Sequence, residues 1–395
     1  MPSEFLLFGL TLLGVAVLHR HALAIAAGGL LAIILCELLL TRFPTGTGWS
    51  ALVAHLATEW VLLANLLLLL SGFSLVARHF EQSGVPLILP ALLPDDWTGP
   101  LALLGVVFLF SAFLDNIAAA LIGGAMAHTL FRARLRIGYL AAIVAAANAG
   151  GAGSVIGDTT TTMMWIAGVP PGELLAAYIA AVVAMLVVGV PAARRQQKFG
   201  PIIRDPPPDA RIDWQRVAVV ALTLVSAVGT NLAINARAPE LAARFPFIGV
   251  AVALLLLVSS RWRRPDWSVL PSAVRGALFL MCLVASASLM PVDQLPPASW
   301  PAALALGFVS AVFDNIPLTA LALEQGGYDW GLLAYAVGFG GSMVWFGSSA
   351  GVALTGLYPQ ARSTGRWLRE GWLLPVGYVL GFAVQFLALG WQPGR

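Results

Sequence analysis

Charge is what this chain lacks most. Of its 395 residues, only 10% are Asp, Glu, Lys or Arg, and Lys198 is the sole lysine. A soluble domain carries about 25% charged residues, so a water-solvated surface on this length of chain is excluded. The formal charge is +3, from 22 Lys and Arg against 19 Asp and Glu; the cations sit in loops and read as setting orientation in the membrane, not as a nucleic-acid site. Cysteine is scarce too. Cys36 and Cys282 stand in separate apolar stretches, which excludes a disulfide framework or a cysteine zinc site and reads as two buried thiols. Long polar stretches are also missing, so no soluble domain fits beside the apolar segments.

What remains is apolar: 59% of the residues are hydrophobic and the mean hydropathy is +0.86. A helix needs about 20 apolar residues to cross a bilayer, so the length allows roughly 10 to 12 crossings. The fold class expected is an all-α polytopic membrane protein. Apolar segments run at about 5–18, 22–40, 57–77, 101–131, 138–168 and 174–190, and again at about 214–235, 246–260, 273–290, 301–324, 330–356 and 371–390. Residues 5–18 follow Glu4 and have no basic flank, and read as a first span. Between the two sets, 191–213 is basic and proline-rich and reads as a cytoplasmic linker.

The two sets share sequence. SAFLDNI at 111–117 matches SAVFDNI at 310–316, and Gly150-Gly151 with Gly157-Asp158-Thr159 matches Gly340-Gly341 with Gly347-Ser348-Ser349 at unchanged internal spacing. An internal duplication follows, with repeats at 1–190 and 214–395. If 101–131 and 301–324 are re-entrant hairpins, each repeat has about five spans, and an odd number inverts the second repeat relative to the first. Loop charge agrees: the loops then cytoplasmic carry 17 Arg and Lys against 4 on the other face, as the positive-inside rule requires. This arrangement puts both termini outside the cytoplasm.

Three acidic residues interrupt the apolar segments, and each sits where a helix should break. Asp115 and Asp314 are each followed by Asn, at Asn116 and Asn315, in the two hairpins. Asp158 follows four glycines in the ten residues 148–157, within the broken helix 138–168; its counterpart is 330–356. An Asp at mid-membrane costs about 2.5–3.5 kcal/mol and is retained for function. Broken helices at that depth free backbone carbonyls and half-helix ends that act on ions. The segments hold oxygen donors throughout: beside the three Asp and Asn116, Thr159 and Asn315 stand Asn148, Ser154, Thr160, Ser342, Ser348 and Ser349. That chemistry suits Na⁺ or Li⁺. No Lys or Arg lies in the broken segments, so each carboxylate must hold a proton or a metal cation, the minimal requirement of a cation/proton exchanger. The bland alternative is that each Asp caps the half-helix after it. Glu37 and Glu59 read as interfacial, and the tryptophans at segment ends as interfacial belts.

With these residues in view, AAANAGGAGSVIGDTTTTMMWIAG at 145–168 resembles the signature of the NhaD-type sodium/proton antiporters. SAVFDNIPL at 310–318 and GFGGSMVWFGSSAGVA at 338–353 resemble that family's second-half motifs. The resemblance implies two inverted repeats, ion-site roles for Asp115, Asn116, Asp158, Thr159, Asp314 and Asn315, a homodimer, and residence in a bacterial inner membrane. It implies transported Na⁺ or Li⁺ and H⁺ and no cofactor. The sequence departs from the pattern at 117–124, where a Thr-rich stretch is expected, and at Gly153 and Val155. Two other readings compete. A sodium-coupled carrier of a di- or tricarboxylate or oxyanion would place neutral Ser or Thr at the hairpin tips, where Asp stands here. An intramembrane aspartyl protease would require Gly at the position of Val155.

Overall fold

The computed structural model describes residues 3–18, 21–39, 43, 46–202, 211–242 and 244–394, and is helical throughout apart from one isolated bridge between Phe43 and Gly46. His19, Arg20, Arg42 and Arg395, and residues 203–210 of the expected linker, lie outside the described residues. The first half runs α1 (Ser3–Val17), α2 (Ala22–Leu39), α3 (Gly48–Glu81), α4 (Val85–Ile88), α5 (Thr98–Ser111), α6 (Asn116–Leu130), α7 (Ile137–Ala152), α8 (Thr159–Ile166), α9 (Pro171–Leu175) and α10 (Ala177–Phe199). The second runs α11 (Trp214–Arg237), α12 (Pro239–Ala242), α13 (Phe247–Ser259), α14 (Leu270–Ser288), α15 (Trp300–Ser310), α16 (Asn315–Gln325), α17 (Trp330–Gly340), α18 (Ser349–Leu357), α19 (Thr364–Glu370) and α20 (Leu373–Leu389).

Among the described residues, five stretches are long and apolar enough to cross a bilayer: α2, α3, Pro171–Phe199, Trp214–Ile234 and Trp267–Ser288. The α19–α20 pair, bent by 56°, makes a sixth if counted as one span. Large apolar side chains stand exposed along these helices, Leu387 at 81% and Val225 at 69%, as faces turned to lipid would be. The chain is a polytopic integral membrane protein. Two segments expected as full spans are short. α1 has 15 residues and α13 has 13; at 1.5 Å per residue neither fills the ~30 Å apolar slab. A second difference concerns the linker. Helix α10 continues through Pro191 to Phe199, so 191–199 is helix. Pro191 removes one backbone donor, while Arg194, Arg195 and Lys198 sit at the helix C-terminus, where the macrodipole favours cations.

The helices form two compact units, and neither is one half of the sequence. The first unit comprises Met1–Arg78, Ala218–Pro297 and Ile316–Gly326; the second comprises His79–Val217, Ala298–Asn315 and Gly327–Arg395. Within the first, α2 packs on α1 and α14. Polar contacts join its helices: Asn65 Oδ1 accepts from Gly249 N at 3.0 Å, and His55 Nε2 meets Ser288 Oγ at 2.9 Å.

The second unit is built around α7 and α17. Every residue of α17 is buried, and in α7 only Gly138 is not. Helix α7 packs on α5, α6, α10 and α17, and α17 packs on α15 and α20. Such close contact depends on glycine. A Cβ on Gly150 would lie 2.8 Å from the Phe108 carbonyl carbon, and one on Gly340 would lie 2.8 Å from that of Gly307. The two glycines are matched positions of the two halves, so the same backbone contact occurs twice.

Candidate functional site

The site residues stand at four helix breaks. The helix ending at Ser111 resumes at Asn116, and the helix ending at Ser310 resumes at Asn315. Helix α7 ends at Ala152 and α8 begins at Thr159; α17 ends at Gly340 and α18 begins at Ser349. The four restarts therefore fall at matched residues of the two motifs. In the first half α5 and α6 pack against each other as a helical hairpin with Asp115 at its turn.

Local sequence explains each break. The stretch 153–158 passes from α7 to α8 in turns, and its closeness to α7 needs small residues: a Cβ on Gly151 would lie 2.7 Å from the Gly157 carbonyl oxygen. In the second half a Cβ on Gly341 would lie 2.8 Å from the Gly347 carbonyl oxygen. The threonines after Asp158 mostly serve this turn. The hydroxyls of Thr161 and Thr162 each donate to the Asp158 carbonyl oxygen at 2.9 Å. Ser154 Oγ donates to the Ala112 carbonyl, tying the break to the hairpin turn.

Asp158 is 2% exposed and its two oxygens do different things. Oδ1 caps α8 by accepting from Thr160 N at 3.0 Å. Oδ2 accepts from Asn116 Nδ2 at 3.1 Å and from Asn315 Nδ2 at 3.4 Å. The capping alternative thus applies to one oxygen only, and the other faces the second halves of both Asp-Asn pairs. Asp115 precedes α6 without a side-chain capping bond. Asp314, half-buried, accepts from Ser349 Oγ at 3.1 Å.

Asn148 is the hub of the cluster. It is completely buried within α7. Its Oδ1 accepts from Asn116 Nδ2 at 3.2 Å, and its Nδ2 donates to Ser342 Oγ at 2.9 Å and Ser348 Oγ at 3.1 Å. Ser348 Oγ in turn caps α18, accepting from Gly351 N at 3.3 Å. Residues of two breaks, α5–α6 and α17–α18, therefore meet on one amide of α7. The sequence marks Asn148 only as one oxygen donor among several; its signal is a lone Asn in an Ala/Gly helix, where burial demands partners for every amide atom.

Expected residues outside this network are Thr159, half-buried at the start of α8, and Ser154, which serves the turn. Among the described residues no three His, Cys, Asp or Glu side chains converge as a metal site, so Asp115, Asp158 and Asp314 do not share one carboxylate cage. Amides separate them, while Asp115 and Asp314 remain within electrostatic reach of Asp158. The hydroxyl oxygens of Thr160 and Ser111 are buried without hydrogen-bond partners. Ser111 belongs to the repeated SAFLDNI motif, and its counterpart Ser310 donates to the Val337 carbonyl at 2.7 Å. Of the interfacial expectations, Glu37 proves only 1% exposed, with Oε2 unpartnered: helix α1, packed on α2, covers it.

The arrangement presents a buried carboxylate with only neutral partners, three amides, and orphan hydroxyls. Such a set can hold a proton or a small hard cation. No family model matches the chain. A stretch of 65 residues is 45% identical to Sodium/proton antiporter 1 of Arabidopsis thaliana. The match covers 14% of this chain and spans 11% of that protein's length.

Proposed function

We propose that this chain is a secondary transporter exchanging Na⁺ or Li⁺ for H⁺ across the membrane. The observation that carries this reading is Asp158: buried, at a helix break, and paired with amides instead of a cation. A charge in that position must be neutralised by whatever the site carries. With a proton bound, Asp158 is neutral. With the proton gone, a small cation restores the balance, and its dehydration is compensated by oxygen ligands. Asp158 Oδ2 and the unpartnered Thr160 hydroxyl supply two of these. Asn116 and Asn315 donate to the carboxylate, and rotation of either amide would turn its Oδ1 toward a cation. Because proton and cation compete for one carboxylate, binding of one expels the other, and net exchange follows the gradients. The local likeness to a sodium/proton antiporter supports this reading, and the NhaD-type motifs refine it.

In this reading the two halves are inverted repeats, the loop at 132–137 faces the cytoplasm, both termini lie outside, and two copies form a dimer in a bacterial inner membrane. The test is a pH-sensitive dye in everted vesicles with an acid interior, to which NaCl, LiCl, KCl and sodium citrate are added in turn. Proton release on NaCl or LiCl, absent with KCl, is the expected result. Silence to every chloride salt, with sodium-dependent citrate uptake, would replace the exchanger by a sodium-coupled carboxylate carrier.

A further inference from the structure

The second unit has another polar cavity, of about 360 Å³, between the N-terminal end of α7, the C-terminal end of α10 and the α19–α20 bend. Three arginines line it, Arg136, Arg195 and Arg369, together with Tyr139, Val188 and Leu373. The lining has one carboxylate, Glu370, and it is already committed. Its Oε2 accepts from Arg136 Nη2 at 3.5 Å and from Gly138 N at 3.3 Å. Arg195 and Arg369 have no carboxylate partner among the described residues. Two helices, α7 and α20, begin at this cavity; neither has a side-chain cap from its own N-cap residue, and Gly138 N in the first turn of α7 donates to Glu370. Their dipoles add positive potential to that of the guanidiniums. The cavity therefore carries three arginines against one carboxylate, which is already shared by Arg136 and Gly138 N.

We propose that this cavity binds a phosphate group, and that its source is the headgroup of an anionic phospholipid. Guanidinium forks and helix N-termini are the donors that a phosphate monoanion or diester selects. The surroundings favour a lipid over a free ion. Trp372 and Leu368, on either side of Arg369 and Glu370, are 50% and 48% exposed. Helices α10 and α20 pack together beside the cavity, and both expose apolar side chains, among them Leu186, Val376, Val379 and Leu380. Acyl chains attached to a phosphate in the cavity would lie along those faces. Basic pockets between transmembrane helices are places where such headgroups bind. The inference stands apart from the exchange reading, since it needs neither Asp158 nor transport.

The test uses the full chain purified in detergent, with thermal unfolding and native mass spectrometry as readouts. Phosphatidylglycerol, phosphatidylcholine and inorganic phosphate are added separately. Phosphatidylglycerol should raise the unfolding temperature and remain bound, and phosphatidylcholine should do neither. The double variant Arg195→Gln/Arg369→Gln, altered only at exposed side chains, should bind phosphatidylglycerol roughly thirty-fold more weakly, at about 1 kcal/mol per arginine. Glu370→Gln releases Arg136 and should tighten binding several-fold. Inorganic phosphate protecting as well as the lipid would keep the phosphate site and assign it to a soluble anion. Equal protection by phosphatidylcholine, or unchanged lipid binding in both variants, would overturn the proposal.

Discussion

At the scale of single residues, the cluster turns on Asp158 and Asn148. Asp158→Asn keeps the cap on Thr160 N but fixes the side chain as neutral. Cation-driven proton release in vesicles should fall to background while the purified protein retains its unfolding temperature. Normal exchange in that variant would remove the carboxylate from the mechanism. Asn148→Leu acts differently. It strands Asn116 Nδ2, Ser342 Oγ and Ser348 Oγ together, and a buried polar group left unpaired costs about 1–3 kcal/mol. A lowered unfolding temperature and lost exchange are both expected, and an unchanged melting curve would deny Asn148 its bridging part. Asp158 was legible in the sequence because an uncompensated acid in an apolar segment is conspicuous. The division of labour between its oxygens was not, since it depends on side chains 42 and 157 residues away.

At the scale of elements, the candidate site is built at the helix breaks. The glycine run before Asp158 and the Asp-Asn pairs announced them, because helix interruption is set by neighbouring residues. Gly151→Ala tests the first broken helix. Its Cβ would meet the Gly157 carbonyl oxygen at 2.7 Å, so the turn 153–158 must move off α7. Overpacking of this kind costs about 1–3 kcal/mol. Displacement of Asp158 should depress exchange more than Gly→Ala at Gly105, where a Cβ meets nothing within 4 Å. Equal activity of the two variants would show that the close approach has no part in the site. The end of α10 was misread from composition: a basic, proline-containing stretch looked like a linker, yet one Pro within a helix supported by tertiary packing does not end it.

For the whole molecule, sidedness is the open quantity that labelling can decide. Single cysteines placed at Ala133 and at Gly327, in a background with Cys36 and Cys282 replaced, should react with a membrane-impermeant reagent from opposite sides. Ala133 should react from the cytoplasm. Labelling of both from one side would remove the inverted topology. The pH dependence of transport should not arise from the Arg78–Asp266 pair, whose closest atoms are 2.9 Å apart. Bonds from Ser268 and then Arg78 hold the Asp266 carboxyl down to about 2. A depressed folded-state value means the pair's stabilisation is complete above the ordinary value of 3.8 and is lost only as pH falls toward 2. Asp266→Asn should leave the shape of the pH–activity profile unchanged between pH 6 and 9, roughly the working range of such assays.

By itself the sequence determined the membrane class, the positions of the helix breaks, and the short set of acids and amides that stand at them. Each depends on composition within a few residues: apolar length sets insertion, and glycine and Asp-Asn pairs end helices. Tertiary structure alone decided that each compact unit draws on both halves of the sequence, that α1 and α13 fall short of a full span, and that Asn148 joins two breaks to α7 through its amide. It also decided that Glu370 satisfies Arg136 while Arg195 and Arg369 stay uncommitted around one cavity. Those outcomes rest on which distant groups are brought within hydrogen-bonding range, and that is set by the packing of α7 and α17 against their neighbours, not by any local pattern of residues.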